Sequence, residues 1–136
     1  MTRTVLVVDD ERDVLFLLKL ILETHGYRAL LASGAEAALR LLEQSELTVD
    51  LLLTDVTMPG MDGTELAKVS RRIRPDLPIL FMSGFVDTEA IRLKIWDDAV
   101  RCLSKPFTEG LFIENIRELL GAAPLREQKA SRATTS

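Results

Sequence analysis

Acidic side chains follow two apolar runs of this sequence, at the point where each run ends. Asp9 and Asp10 come directly after the run Thr4–Val8. Asp55 comes directly after the run Val49–Thr54. Both runs are short and mostly apolar, which is typical of strands buried on both faces of a parallel sheet. Because ligands and chemistry collect at the carboxyl ends of such strands, we expect these three carboxylates to share one site.

Carboxylates placed side by side repel one another unless positive charge lies between them. Oxygen ligands at a solvent-facing cleft favour a hard cation, and Mg²⁺ is the ion that such a set predicts. Taken alone, Asp9, Asp10 and Glu11 fit equally well as a cap for the helix that follows, since acidic side chains favour that end of the helix dipole. Asp55 taken alone fits a turn at the protein surface. The case for a metal site therefore depends on what the other strand ends carry.

A hydroxyl and an ammonium group follow two further apolar runs. Ser83 comes directly after Pro78–Met82, and Lys105 lies two residues after Ala99–Leu103. An ammonium group neutralises carboxylate or phosphoryl oxygens, and a hydroxyl can donate to them. Phosphoryl transfer depends mainly on positioning and charge neutralisation, and an Asp nucleophile forms a labile acyl phosphate. The four strand ends together therefore predict a centre that accepts a phosphoryl group on Asp55.

Five apolar runs alternate with five segments of helical periodicity along the chain. The predicted strands are Thr4–Val8, Tyr27–Ala32, Val49–Thr54, Pro78–Met82 and Ala99–Leu103. The predicted helices begin near Asp10, Ser33, Asp62, Asp87 and Thr108, residues that can cap a helix N-terminus. Strict alternation predicts parallel strands joined by right-handed crossovers. We therefore expect an α/β fold: a five-stranded parallel sheet in the order 2-1-3-4-5, doubly wound and flavodoxin-like, with five helices on its two faces.

Length and composition bound the class of protein. The chain has 136 residues, of which 47% are hydrophobic and 28% charged, and this predicts one globular domain. We expect the domain to cover residues 1–121 and the tail 122–136 to be flexible. A net charge of −4 gives no indication of direct nucleic-acid binding, and the apolar runs are too short to predict a membrane span. The single cysteine and the lack of a visible signal peptide predict a cytoplasmic protein.

Four sequence blocks together resemble the receiver domain of two-component response regulators. They are Asp9-Asp10, the run from Asp55 to Gly63, Met82-Ser83-Gly84 and Lys105-Pro106-Phe107. The blocks occur in the order and spacing of that family, and the resemblance covers Thr2 to Leu120. The stretch Leu80–Phe85 is also similar to receivers of hybrid histidine kinases. The resemblance implies a response regulator that consists of one receiver domain and takes part in phosphorelay signalling.

The resemblance implies a role for each matching residue. Asp55 would be the phosphoacceptor, and the phosphoryl group would come from a phosphohistidine on a histidine kinase or a histidine phosphotransfer protein. Asp10 and Asp55 would ligate Mg²⁺ directly, together with the backbone carbonyl of Thr57, while Asp9 would act through water. Mn²⁺ is an alternative ion. Such a protein promotes its own phosphorylation and dephosphorylation but turns over no separate substrate, so it is not expected to be an enzyme.

Two further residues would hold the phosphoryl group in a protein of this family. Ser83 would hydrogen-bond a phosphoryl oxygen and shift toward it on activation, and Lys105 would pair first with Asp55 and then with the phosphoryl group. The Lys105–Pro106 peptide bond would be cis. A downstream protein would then bind the face formed by the fourth helix, the fifth strand and the fifth helix.

Cys102 departs from the family pattern, because that position often carries Tyr or Phe, whose ring moves inward on activation. A thiol cannot reproduce the movement of a large ring, so the sequence leaves open how phosphorylation is read out. One alternative function is a receiver-like interaction module that works independently of phosphorylation. Another is an aspartyl-phosphate phosphatase, which would need a second acid two residues after the nucleophile, where Thr57 stands.

Overall fold

The computed structural model describes residues 2–84 and 98–121. Five strands form one sheet in these ranges, namely β1 (Thr4–Val8), β2 (Arg28–Ala32), β3 (Leu51–Asp55), β4 (Ile79–Ser83) and β5 (Val100–Ser104). All pairings are parallel, and the strand order is β2-β1-β3-β4-β5. The predicted fold class and strand order are therefore confirmed.

Four helices are seen within the described ranges. They are α1 (Arg12–Thr24), α2 (Ala35–Leu42), α3 (Gly63–Ile73) and a last helix that covers residues 109–121. The predicted helix that begins near Asp87 and the predicted flexible tail 122–136 lie outside the described residues. None of the helices within the described ranges is both long and apolar enough to cross a membrane.

The apolar side chains of the sheet alternate between two buried clusters, one on each face. The cluster against α2 and α3 includes Leu6, Val8, Leu52, Phe81, Ala38, Leu42 and Leu66. The cluster against α1 and the last helix includes Val5, Val7, Leu53, Leu80, Leu18, Leu22, Phe112 and Ile116. Every residue of β1, β3 and β4 is buried, which explains why these strands read as continuous apolar runs.

Two of the predicted helix caps are confirmed and two are wrong. The Asp62 side chain accepts a hydrogen bond from the backbone N–H of Glu65, and Thr108 Oγ1 accepts one from the N–H of Leu111. The N-cap residue of α1 is Glu11 rather than Asp10, and that of α2 is Gly34 rather than Ser33, and neither forms a side-chain cap bond. At α1 the carboxylate that bonds the turn is Asp9, whose Oδ1 accepts from the N–H of Glu11 at 2.9 Å.

Arginine side chains near the end of α3 bond to backbone carbonyls. Arg74 donates to the carbonyl oxygens of Leu42 and Gln44 at 3.0 and 2.9 Å, where α2 ends. Arg71 donates to the carbonyl of Leu77 at 2.7 Å. Arg74 thus satisfies backbone acceptors left over at the end of α2 and ties that end to α3, whereas Arg71 holds the connection between α3 and β4.

Candidate functional site

The adjacent strands β1, β3, β4 and β5 deliver three kinds of functional group to one edge of the sheet: carboxylate, hydroxyl and ammonium. Asp55 is the last residue of β3, and Ser83 is the last residue of β4. Asp9 directly follows β1, and Lys105 directly follows β5. Because the strands are parallel and in register, their carboxyl ends lie side by side. The register therefore places these four strand ends at the same edge of the sheet, as the sequence predicted.

Three carboxylates form a compact cluster at this edge. Asp9, Asp10 and Asp55 each offer an oxygen, and these oxygens all lie within 4.8 Å of one another. Asp9 is 0% and Asp55 8% exposed, whereas Asp10 is exposed. Lys105 compensates part of this charge, since its Nζ lies 3.1 Å from Oδ2 of Asp55. The cluster therefore combines three acids with a single ammonium group among the described residues.

Asp9 is the most deeply buried of the three acids. Burial raises the pKa of the Asp9 carboxyl above its ordinary value. The negative charges of Asp55 and Asp10 raise this pKa further, whereas the hydrogen bond from the N–H of Glu11 lowers it. Its second oxygen, Oδ2, is buried and has no hydrogen-bond partner among the described residues. A buried carboxylate oxygen without a partner is costly unless a cation or an ordered water satisfies it. The cluster therefore fits a hard divalent cation, whose preferred ligands are carboxylate oxygens and water.

The loop after Asp55 is held close to the end of β3. The backbone N–H of Thr57 donates to Oδ1 of Asp55 at 3.4 Å, and the N–H of Val56 donates to the carbonyl of Met82 at 3.0 Å. The N–H of Gly63 then donates to the carbonyl of Val56 at 2.8 Å, which brings the start of α3 back onto the strand end. These bonds fix the course of the backbone directly after Asp55.

Gly63 lies against the backbone of the site, and the sequence alone did not show why a glycine is needed there. A Cβ atom at this residue would lie 2.2 Å from the carbonyl oxygen of Asp55. The glycine permits direct contact between the first residue of α3 and the backbone of the acidic residue. The sequence indicates this position only by the pair Asp62-Gly63 at the end of the second motif block, which was interpreted as part of the family resemblance.

Asp62 sets the start of α3 beside this contact. Its Oδ1 accepts from the N–H of Glu65 at 2.9 Å and from Oγ1 of Thr64 at 2.7 Å. These bonds, with the backbone bond from Glu65 first, lower the pKa of the Asp62 carboxyl below its ordinary value. The ionised cap and the glycine together fix α3 against β3.

Ser83 and Cys102 touch each other, a contact that the sequence did not predict. Ser83 is 1% exposed, and its Oγ lies 3.4 Å from Sγ of Cys102. The carbonyl of Ser83 accepts from the backbone N–H of Lys105 at 2.8 Å, so the hydroxyl and the ammonium group belong to one hydrogen-bonded strand pair. The Lys105–Pro106 peptide bond is cis, the isomer that the family resemblance implied. The structure thus brings together all of the predicted site residues on neighbouring strand ends and loops.

Comparison with known proteins agrees with this architecture. The chain is 39% identical over 125 residues to the response regulator receiver protein CpdR of Brucella abortus, covering 89% of this chain and 99% of that protein. It is 32% identical over 117 residues to the sensor kinase CckA of the same organism, covering 86% of this chain but only 12% of the kinase.

Solved structures show the same relationship. The crystal structure of a CheY-like receiver domain protein from Methanospirillum hungatei superposes with a TM-score of 0.81 at 27% identity, covering 93% of this chain and 99% of that one. The receiver domain of the hybrid histidine kinase CckA superposes with a TM-score of 0.72 at 31% identity, covering 86% and 98%. The model of the response regulator receiver domain family matches residues 5–117, which span β1 to the last helix. An acid cluster on the ends of β1 and β3, an ammonium group after β5 and this match over most of the chain place the protein in the response regulator receiver domain family.

Proposed function

We propose that this receiver domain accepts a phosphoryl group on Asp55 from a phosphohistidine and signals through altered protein–protein contacts. The observation that carries the proposal is the pairing of a nearly buried Asp55 with Lys105 at 3.1 Å inside a cluster of three carboxylates. A carboxylate at the end of a buried strand is held in one place, and phosphoryl transfer depends mainly on such positioning. The kinship to CpdR and to part of CckA supports a role in two-component signalling.

In the proposed transfer, one bond to phosphorus forms while another breaks. An oxygen of Asp55 bonds to phosphorus while the bond from phosphorus to the donor's imidazole nitrogen breaks, and its electron pair stays on that nitrogen. The product is an acyl phosphate on Asp55. Lys105, freed from the carboxylate that it contacts, pairs with a phosphoryl oxygen, and the Ser83 hydroxyl donates to another. Both groups lie on the same edge of the sheet as Asp55.

A divalent cation belongs to this proposal through the residues that would hold it. Asp10, Asp55 and the backbone carbonyl of Thr57 would ligate Mg²⁺ directly, with Asp9 acting through water, and Mn²⁺ would be an alternative ion. When bound, the ion neutralises charge on the carboxylates and on the phosphoryl oxygens. The buried, unpartnered Oδ2 of Asp9 supports this assignment, since a water on the ion can satisfy it.

The protein is proposed to act on itself rather than on a separate substrate. Hydrolysis of the acyl phosphate would return Asp55 to its free form and end the signal. A phosphatase that used Asp55 as nucleophile would need a general acid near it, and the residue two positions later is Thr57. Its backbone N–H contacts Oδ1 of Asp55, so this position supports the acceptor rather than supplying a proton.

The phosphodonor is proposed to be a histidine kinase or a histidine phosphotransfer protein, and α1 offers a surface for it. Phe16, Leu17 and Leu20 are 58%, 56% and 61% exposed on this helix, which starts two residues after Asp10. Adjacent exposed apolar side chains of this size mark an interaction site. The downstream face that includes the predicted fourth helix lies partly outside the described residues, and both it and the cytoplasmic location remain predictions from the sequence.

The experiment that tests the proposal is phosphorylation by acetyl phosphate in the presence of Mg²⁺, followed by intact-protein mass spectrometry. The wild-type protein should gain one phosphoryl group, and Asp55→Asn should gain none. Asp13→Asn is a matched control, because Asp13 is an exposed acid in the first turn of α1 that is not part of the carboxylate cluster. It should be phosphorylated like the wild type. Unchanged mass of the wild type with acetyl phosphate and with phosphoramidate would rule the proposal out.

A further inference from the structure

Cys102 contacts the hydroxyl side chain of the site. Phe81 of β4 pairs with Cys102 of β5, and side chains alternate along a strand. Ser83, two residues after Phe81, therefore lies on the same face of the sheet as Cys102. This register brings Sγ of Cys102 to 3.4 Å from Oγ of Ser83, within hydrogen-bond distance for sulfur. Residue 102 therefore carries a group that can form a hydrogen bond with Ser83.

The contact with Cys102 and the proposed role of Ser83 compete for the same hydroxyl group. Either atom can be the donor in this contact. When Ser83 donates, its single proton cannot go to sulfur and to a phosphoryl oxygen at once; when the thiol donates, Oγ must still leave the sulfur to move toward the phosphoryl group. Sulfur is a weak acceptor, whereas a phosphoryl oxygen is a charged one and forms the stronger bond. The contact with Cys102 therefore opposes phosphoryl binding without preventing it.

We propose that Cys102 is a positioning residue whose thiol holds the Ser83 hydroxyl in the unphosphorylated protein and releases it when a phosphoryl group occupies Asp55. The inference rests on the proposed function of Asp55. It gives the thiol a part in activation that differs from the movement of a ring. The strength of the Ser83–Cys102 bond sets how readily Ser83 turns to the phosphoryl group.

The test measures the affinity of the full chain for beryllium fluoride with Mg²⁺, a stable mimic of a phosphoryl group on a carboxylate, by fluorine NMR. Cys102→Val retains an apolar side chain of similar size that suits a strand, but it cannot bond to Ser83. We expect about two- to fivefold tighter binding by this variant, because a hydrogen bond to sulfur lies at the weak end of the range for neutral hydrogen bonds. Cys102→Ala, which also lacks the bond, should shift in the same direction.

A double-mutant cycle separates positioning from packing. In the Ser83→Ala background, Cys102→Val should leave the affinity for beryllium fluoride unchanged, because the hydroxyl that the thiol holds is gone. The same gain in both backgrounds would overturn the proposal, since the effect would then come from packing around residue 102. An unchanged or weaker affinity of both single variants at Cys102 would overturn it as well.

Failure of the proposed function of Asp55 gives a different result from failure of the proposed role of Cys102. Wild-type protein that binds no beryllium fluoride and gains no phosphoryl group from acetyl phosphate would refute the role of Asp55. Wild-type protein that does both, combined with no dependence of the Cys102 effect on Ser83, would refute only the positioning role. Thermal unfolding of each variant shows whether it is folded at the temperature of the titration.

Discussion

The contact between Gly63 and the backbone of β3 gives the most direct test of how the site is built. A methyl group on Cα of Gly63 would lie 2.2 Å from the carbonyl oxygen of Asp55 and 2.9 Å from Cα of Val56. Both separations are well inside van der Waals contact, which is about 3.5 Å for heavy atoms at their optimum. Both partners are backbone atoms, so no side-chain rotation can relieve the overlap. Gly63→Ala must therefore move α3 away from the strand end.

The expected magnitude follows from two opposing effects. Overpacking of this kind costs about 1–3 kcal/mol, and displacement of backbone atoms falls toward the upper end. Ala gains at most about 1 kcal/mol over Gly from helix propensity, and Gly63 is only the first residue of α3. We therefore expect Gly63→Ala to lower the free energy of unfolding by about 2 kcal/mol. The same movement displaces Asp55 relative to Lys105, so phosphorylation by acetyl phosphate should slow as well.

Urea denaturation followed by circular dichroism measures the loss, and Gly110→Ala is the matched control. Gly110 lies in the last helix, where a new Cβ would meet only Oγ1 of Thr108 at 4.0 Å. That substitution should raise the free energy of unfolding by at most about 0.5 kcal/mol through helix propensity, because Gly110 is the second residue of its helix. A Gly63→Ala protein as stable as the wild type, or stabilised like Gly110→Ala, would refute the close contact as the reason for this glycine.

Three further predictions concern charge at the site and at the start of α3. Lys105→Met should slow phosphorylation of Asp55 by acetyl phosphate about a hundredfold, as loss of a charge-stabilising donor does elsewhere, and an unchanged rate by mass spectrometry would contradict this role. Asp62→Ala should cost about 1 kcal/mol at pH 7 through the lost cap. Because the folded pKa of Asp62 is lowered, its charge stabilises the protein above the unfolded pKa of about 3.9, and the stability gap to the variant should narrow as the pH falls below that value. Mg²⁺ at one hundred times its Kd should raise the free energy of unfolding by about 2.7 kcal/mol, with a clearly smaller gain for Asp10→Asn in the same urea titration; equal gains would exclude Asp10 as a ligand.

The strand ends could be predicted from the sequence because burial on both faces leaves a readable pattern. The strands β1, β3 and β4 contain no exposed residue, so each apolar run stops where the chain reaches the edge of the sheet. The polar residue that follows each run is the one that the fold delivers to the site. Asp9, Asp55 and Ser83 were found in this way, without any knowledge of side-chain contacts.

The contacts between elements could not be predicted, because they depend on geometry that no local pattern encodes. The space at Gly63 is limited by the carbonyl of a residue eight positions earlier, and the Ser83–Cys102 contact depends on the register of two strands. The start of α1 shows the same limit. Asp10 has the side chain of a capping residue, but the carboxylate that bonds the turn comes from Asp9, which the end of β1 has already buried.

The formal charges of the cluster explain why a hydroxyl belongs in it. The three carboxylates and Lys105 together carry a formal charge of −2, which a divalent cation would bring to zero. Phosphorylation would replace the single negative charge of Asp55 by a group of about −2 at pH 7, which would leave about one uncompensated negative charge with the cation bound. No further cation is required if a neutral donor satisfies the added oxygens, and the chain places Ser83 on the strand next to Asp55. In the proposed phosphorylated state the energy would therefore depend on whether the Ser83 hydroxyl is available, and the thiol of Cys102, 3.4 Å away, would compete for it.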